Sequence, residues 1–164
     1  MDDFEGFSGR VLDYDWKYVG EKDVLYVEDS KHAHSKFFGP QSHIPKDHWQ
    51  LRRCFVVESR PLYEKHPYGR KLTFFDAQTF NVAANLVFDR NDQLLKVFYT
   101  IYNWPGGKPD DDPRESVPEW RTSVGMNLQE RRSMVTWAFG TEVPQMKASK
   151  VRRLFSVSNL TGGR

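Results

Sequence analysis

The residues best suited to chemistry are four histidines ahead of a run of candidate strands: His32, His34, His43 and His48, with Glu28 and Asp47 as further possible ligands. His32-x-His34 would set two imidazoles on one face of an extended segment, and imidazole with carboxylate suits zinc. Their spacing matches no established ligand pattern, and histidines in a polar loop are usually only solvated, so we expect neither a metal nor a cofactor. Cys54 is the sole cysteine, which rules out an intrachain disulfide. Among Phe55, Val56 and Val57 it reads as a buried structural thiol, where the thiolate is disfavoured. No serine stands in a nucleophile-elbow context. A noncatalytic protein is therefore the expectation. Arg52, Arg53, Glu58, Arg60 and Lys71 read as charges that pair across neighbouring strands, with a polar anchor for a ligand headgroup as the alternative.

Those residues must be positioned by β structure. Aromatics make up 15% of the 164 residues, and large flat side chains favour pleated, half-buried surfaces. With 24 Lys plus Arg against 22 Asp plus Glu, the net charge of +2 is too small for a nucleic-acid partner, which needs a concentrated basic footprint. The basic cluster Lys147, Lys150, Arg152, Arg153 and Arg164 is read as solvated surface. Met1 is followed by Asp2, Asp3 and Glu5, without the basic and apolar regions of a signal peptide. No apolar run approaches the ~20 residues of a membrane span, so the chain is expected to be soluble and not membrane-spanning. The length suits one domain, 1–164.

Leu12, Tyr14, Trp16 and Tyr18 alternate with Asp13, Asp15 and Lys17, the period of a strand with one apolar face. Gly20-Glu-Lys-Asp23 then reads as a turn into Val24-Leu-Tyr-Val27, a first hairpin. A long polar loop is expected from Glu28 to His48. Strands follow at Leu51–Arg60, Arg70–Asp76, Asn81–Asp89 and Gln93–Tyr102, joined by the Asp-rich turns Asp76–Phe80 and Asp89–Asp92. The Pro, Gly and Asp content of Pro105–Pro113 predicts an exposed loop reaching to about Glu119, and the acids there read as solvated. Two more strands are expected at Trp120–Met126 and Arg132–Phe139. A short helix over Lys147–Phe155 would put Val151, Leu154 and Phe155 on one face. The fold class is thus mainly β, an antiparallel meander with long loops and a short C-terminal helix.

Several blocks of the chain resemble a known family. Tyr14-Asp-Trp-Lys17 with Gly20-Glu-Lys22, Leu51-Arg-Arg-Cys-Phe-Val-Val-Glu58, Arg70-Lys-Leu-Thr-Phe-Phe-Asp76 with Thr79-Phe80, and Phe88-Asp89 with Leu94-Leu-Lys96 are similar, in order and approximate spacing, to blocks in the C-terminal part of the domain-of-unknown-function 1329 family. These are bacterial envelope proteins grouped with outer-membrane lipoprotein-sorting proteins. Phe155-Ser-Val-Ser-Asn-Leu160 looks like the family's end. Arg52 stands in place of the family's strand histidine, Cys54 of a small apolar residue, and Asp92 of the last turn's glycine. Family members are typically longer, with an export signal and a further N-terminal portion. The resemblance implies a curved sheet or half-barrel like that of lipoprotein carriers, an apolar concave face that holds acyl chains, and a periplasmic or cell-envelope location.

An antiparallel sheet must bury one apolar face, and one short helix covers little of it, so the face is closed as a barrel or left for a ligand or partner. The candidate ligand-binding residues are Tyr14, Trp16, Phe55, Val57, Phe74, Phe88, Phe98, Tyr102 and Trp137, within a wider set that adds Leu12, Leu86, Thr100 and Met134. The same residues would also serve as an ordinary closed core. An exposed sheet edge favours pairing with a second copy or an envelope partner. The function expected is a noncatalytic envelope-type module that binds a lipid-like or other hydrophobic ligand. The alternatives are a structural module completing a larger β-barrel with a partner chain, and a metal-binding histidine loop.

Overall fold

The structure is a computed structural model that describes residues 10–30, 36–40, 43–104, 118–137, 147–154 and 156. Seven strands form one sheet: β1 (Tyr14–Tyr26), β4 (Gln50–Pro61), β5 (Arg70–Asp76), β6 (Val82–Phe88), β7 (Leu94–Asn103), β8 (Glu119–Asn127) and β9 (Arg132–Trp137). A ribbon of β2 (Phe37–Phe38) and β3 (Ile44–Pro45) lies between β1 and β4 in sequence. The sheet order is β1-β4-β5-β6-β7-β8-β9 and each ladder is antiparallel. From β4 onward, neighbours in sequence are neighbours in space, so the sheet is the expected meander. It is open, with β1 and β9 as its two edges among the described residues. One short helix, α1 (Ala148–Leu154), follows. The expected helical face of Val151, Leu154 and Phe155, and the loop at 105–117, fall outside what the structure describes. No helix among the described residues is long and apolar enough to cross a membrane.

Asx chemistry builds the tight connections. Asp76 Oδ1 accepts the amides of Gln78 and Thr79 at 2.9 Å, Asp89 Oδ1 those of Asn91 and Gln93, and Asn127 Oδ1 those of Gln129 and Glu130. Each turn then contains one residue at positive φ: Phe80 (59°), Asp92 (62°) and Arg131 (52°). Asp tolerates that region better than most side chains do, which accounts for Asp92 at a position where the family pattern has glycine.

The expected first hairpin is not formed. β1 runs unbroken through Gly20-Glu-Lys-Asp23 and pairs along its length with β4, the register stepping from Tyr18↔Val57 to Gly20↔Val56. Val19 is thus the extra residue of a β-bulge, and Gly20 at φ 134° supplies the backbone freedom the bulge needs. The polar composition that suggested a turn serves the exposed edge. Arg53 Nε donates to Asp23 Oδ1 at 2.5 Å and Arg53 Nη1 to Glu21 Oε2 at 3.2 Å, and charges on an edge strand discourage pairing with a foreign strand. The long loop after β1 likewise contains the β2–β3 ribbon, whose strands have only two residues each.

Cross-strand partners share a face, so the registers sort the sheet into two unlike sides. On one side a row runs Ser59, Lys71, Val87, Lys96, Asn127, and the next runs Val57, Thr73, Asn85, Phe98, Gly125. This side is buried but polar. Lys71 is 1% exposed, Thr73, Asn85 and Ser59 are equally enclosed, and the hydroxyls of Ser59 and Thr73 have no hydrogen-bond partner among the described residues. Tyr68 packs with Val87 and Phe98 there, takes a hydrogen bond from Lys96 Nζ at 2.6 Å, and has the Lys71 ammonium 5.4 Å from its ring centroid. On the other side one row runs Val56, Phe74, Ala84, Tyr99, Val124, Val135. Beside it lie Leu72, Leu86, Val97 and Met126.

Candidate functional site

Those two rows make a continuous apolar band, the first running from β4 to β9 and the second from β5 to β8. At ~4.8 Å between strands, six strands span about 24 Å. Val56 and Val124 are buried, whereas Leu72, Phe74, Leu86, Val97, Tyr99, Met126 and Val135 are only half-buried. Both sides hold some buried apolar groups, Val87 and Phe98 on the polar side and Cys54, Val56, Ile101 and Val124 on the band's side, but enclosed Lys71, Thr73 and Asn85 opposite half-covered apolar rows are not what a sheet settled on one apolar core would have. The β2–β3 ribbon reaches the band near β7 and β9: the Tyr99 hydroxyl donates to the His43 carbonyl, and Phe37 meets Trp137 edge-on at 6.4 Å. Burial holds the Tyr99 phenol protonated well above its usual range.

Each end of the band is polar. At one end the Arg70 guanidinium lies 3.7 Å from the centroid of the Phe88 ring, with Glu58 at 3.7 Å and an ion pair to Asp92, while Arg60 Nε holds Glu58 at 2.7 Å. At the other end Arg52 grips the buried Asp76 with two bonds, Nε to Oδ2 at 2.8 Å and Nη2 to Oδ1 at 3.0 Å. Burial works against the ionised form of Asp76. Arg52, the amides of Thr79 and Gln78 and the Tyr26 hydroxyl outweigh it, holding the carboxyl well below the usual carboxylate range. The Tyr26 hydroxyl stands between Asp76 Oδ2, at 3.0 Å, and Glu28 Oε2. Burial first, and then the Glu28 and Asp76 carboxyls, keep that phenol protonated far above its ordinary range. Glu28 also accepts from Asn81 Nδ2 and Trp104 Nε1, both at 3.3 Å.

The nine residues singled out from sequence divide between the two faces. Phe74, Phe88 and Trp137 lie on the band's side; Tyr14, Trp16, Phe55, Val57, Phe98 and Tyr102 share the opposite side with Lys71. There Tyr14 and Trp16 are in ring contact at 5.6 Å and Phe55 stacks with Phe80 at 6.1 Å. Leu72, Ala84, Val97, Tyr99 and Met126 were not singled out. Their alternation was visible, but its phase from strand to strand depends on bulges beside Phe74, Val87 and Ile101. Of the histidines, His43 gives its carbonyl to Tyr99 and has a buried Nδ1 without a partner among the described residues, and His48 donates its amide to Asp47 Oδ1 at 2.8 Å. His32 and His34 lie outside the described residues, among which no three His, Cys, Asp or Glu residues gather as a metal site would require. Cys54 is fully buried, and that burial pushes its thiol up to about 11.

The model of the family described as "Protein of unknown function (DUF1329)" matches residues 1–161. The chain belongs to the DUF1329 family. The resemblance carried by Tyr14-Asp-Trp-Lys17 and the blocks after it is thereby borne out. No curated protein matches the sequence. Solved structures similar to this DUF1329 chain include a putative outer membrane lipoprotein-sorting protein domain from Vibrio parahaemolyticus, with 17% identity and a TM-score of 0.47 over 83% of this chain and 47% of that one. Another is a DUF1329 family protein from Desulfovibrio piger ATCC 29098, with 14% identity and a TM-score of 0.49 over 90% and 47%. The chain spans about half the length of either.

Proposed function

We propose that this DUF1329 chain is a noncatalytic, envelope-type module that holds a lipid-like or other hydrophobic ligand against the apolar band. The observation that supports the reading is the pair of apolar rows, most of whose side chains are half-buried, while Lys71, Thr73, Asn85 and Ser59 are enclosed on the opposite side. Each methylene that leaves water contributes about 0.8 kcal/mol, against an association cost of about 4–15 kcal/mol, so long chains bind and short ones do not. Shortening an acyl chain by four carbons therefore weakens binding by about 3 kcal/mol, more than a hundredfold in Kd. The test is titration with a fluorescent long-chain fatty acid. Phe88→Ala and Leu86→Ser are expected to weaken its retention, and Trp16→Ala, on the opposite side, to leave it intact. A folded protein that retains no probe, or one that loses it through Trp16→Ala alone, overturns the reading. The envelope setting rests on family membership, and fractionation of cells producing the whole gene product tests it.

A second reading, a structural module that extends its sheet with a partner strand, is favoured by one observation. The β9 edge presents Met134 at 47% and Trp137 at 39% exposure, without, among the described residues, the cross-strand ion pairs that guard β1. Sizing chromatography at high concentration tests it: a monomer that shifts to larger species only when Met134 and Trp137 are intact supports edge pairing, and a monomer at all concentrations counts against pairing between copies.

A further inference from the structure

Beyond the apolar band, the end of the sheet near Asp76 holds a cavity of about 370 Å³ lined by Glu28, Asp29, Gln50, Arg52, Gln78, Thr79 and Trp104. That volume falls within the range of small-molecule sites, about 300–1,000 Å³. The lining is unusual in its mixture. It contains an indole, two primary amides, a hydroxyl, two carboxyls and a guanidinium, yet it has no run of one charge.

The lining is organised from behind. Trp104 is pinned by its backbone amide on Asp29 Oδ1 at 3.0 Å and by its indole nitrogen on Glu28 Oε1 at 3.3 Å. Arg52 spends Nε and one terminal nitrogen on Asp76, which leaves the other terminal nitrogen, among the described residues, with donors to spare. The Thr79 oxygen accepts the Asn81 amide at 3.3 Å, so its own proton remains to be donated. The side-chain amides of Gln50 and Gln78 offer a donor and an acceptor each.

A small ion would want one sign of charge, and here a guanidinium faces the same space as Glu28 and Asp29. A purely apolar ligand would leave the amides and the guanidinium desolvated without partners, which is costly. A neutral polyhydroxylated ring suits every wall. Its hydroxyls donate and accept in turn, matching amide, hydroxyl and guanidinium, and its C–H face lies against a fixed aromatic ring. We propose that this cavity binds a saccharide unit, stacked on Trp104 and hydrogen-bonded by Gln50, Gln78, Thr79 and the outer edge of Arg52. It lies beside the band's polar end and does not depend on the band being occupied.

The test is saturation-transfer NMR on the full chain with maltose, cellobiose and N,N′-diacetylchitobiose at millimolar concentration. Tetramethylammonium chloride and sodium phosphate serve as competing ions. Transfer to the ring protons of at least one disaccharide is expected, reduced about tenfold in apparent affinity by Gln78→Ala and lost in Trp104→Ala. Gln78 makes no side-chain bond among the described residues, so its variant keeps the test valid should Trp104→Ala fail to fold. No transfer to any of the three sugars from folded protein overturns the proposal. So does transfer that survives Gln78→Ala and a folded Trp104→Ala unchanged, or that either ion abolishes by direct competition.

Discussion

Replacing Arg52 with methionine keeps an unbranched stem as far as the position of Nε and removes the fork that holds Asp76. Asp76 is 1% exposed, and in the wild type it accepts from Arg52 at 2.8 and 3.0 Å, from the amides of Gln78 and Thr79 at 2.9 Å, and lies 3.0 Å from the Tyr26 hydroxyl. Breaking a buried ion pair by removing one partner costs about 3–5 kcal/mol. Arg52 is partly exposed and the two amides persist, so the loss falls at or just below the lower end, about 2–3 kcal/mol. With a urea m-value of about 2–3 kcal/mol/M, the unfolding midpoint should drop by roughly 1 M near neutral pH. The pH dependence is the sharper check. Asp76 has its folded pKa below its unfolded value of about 3.9, so its contribution is present above that pH and is lost as pH falls through the folded pKa. Without Arg52 the folded pKa rises, and less is left to lose. The gap between wild type and Arg52→Met should therefore narrow as the pH is lowered below about 4. Unchanged midpoints, or a gap that stays constant down to acid unfolding, would refute the account of this network.

Other positions give independent outcomes. A methyl group on Gly69 would run into the Asp89 carbonyl oxygen and lie 3.1 Å from Arg90 Cα, both backbone; Gly69→Ala should therefore lower stability by more than about 2 kcal/mol in urea unfolding, and a smaller loss would mean that the β6–β7 turn yields easily. Gly20 has nothing within 4 Å of an added Cβ, but its φ is 134°, so Gly20→Val should still cost about 1–3 kcal/mol through backbone strain alone. A neutral substitution there would refute the strain argument. Cys54, fully buried with its thiol at about 11, should resist a thiol-specific reagent in the native protein at mildly alkaline pH and react in denaturant. Fast native labelling would mean that β4 opens readily.

The strands from β4 onward were legible because each carries its own period, and β5, β6 and β8 are closed by Asp or Asn, whose side chains make the turn locally. Gln50–Pro61, Arg70–Asp76, Val82–Phe88 and Leu94–Asn103 lie within two residues of the limits that pattern and turn chemistry set. The first hairpin failed because Gly20-Glu-Lys-Asp23 has the composition of a turn, while its charges in fact answer Arg53 on the neighbouring strand, a non-local demand. The nine aromatic and aliphatic candidates scattered to two faces for a related reason. Alternation assigns faces within a strand, and single-residue bulges decide how one strand's phase meets the next. The Tyr26, Glu28, Asp76 and Arg52 network was likewise hidden, since Tyr26 and Asp76 are fifty residues apart. What the sequence did show was Asp76 as a turn residue, without the guanidinium that makes it an anchor.

The irregularity at Val19 sets where β1 can change length. Pairing on either side of it is already consecutive along β4, Val57 then Val56, and Val19 itself is 51% exposed. Losing that residue would smooth the ladder and leave every later pair in place, whereas losing any single residue between Glu21 and Leu25 would turn Tyr26 away from Asp76. Of the thirteen positions in the strand, the bulged one is thus the hinge point for insertions and deletions: length can drift there while the hydroxyl that caps the far end keeps its appointment.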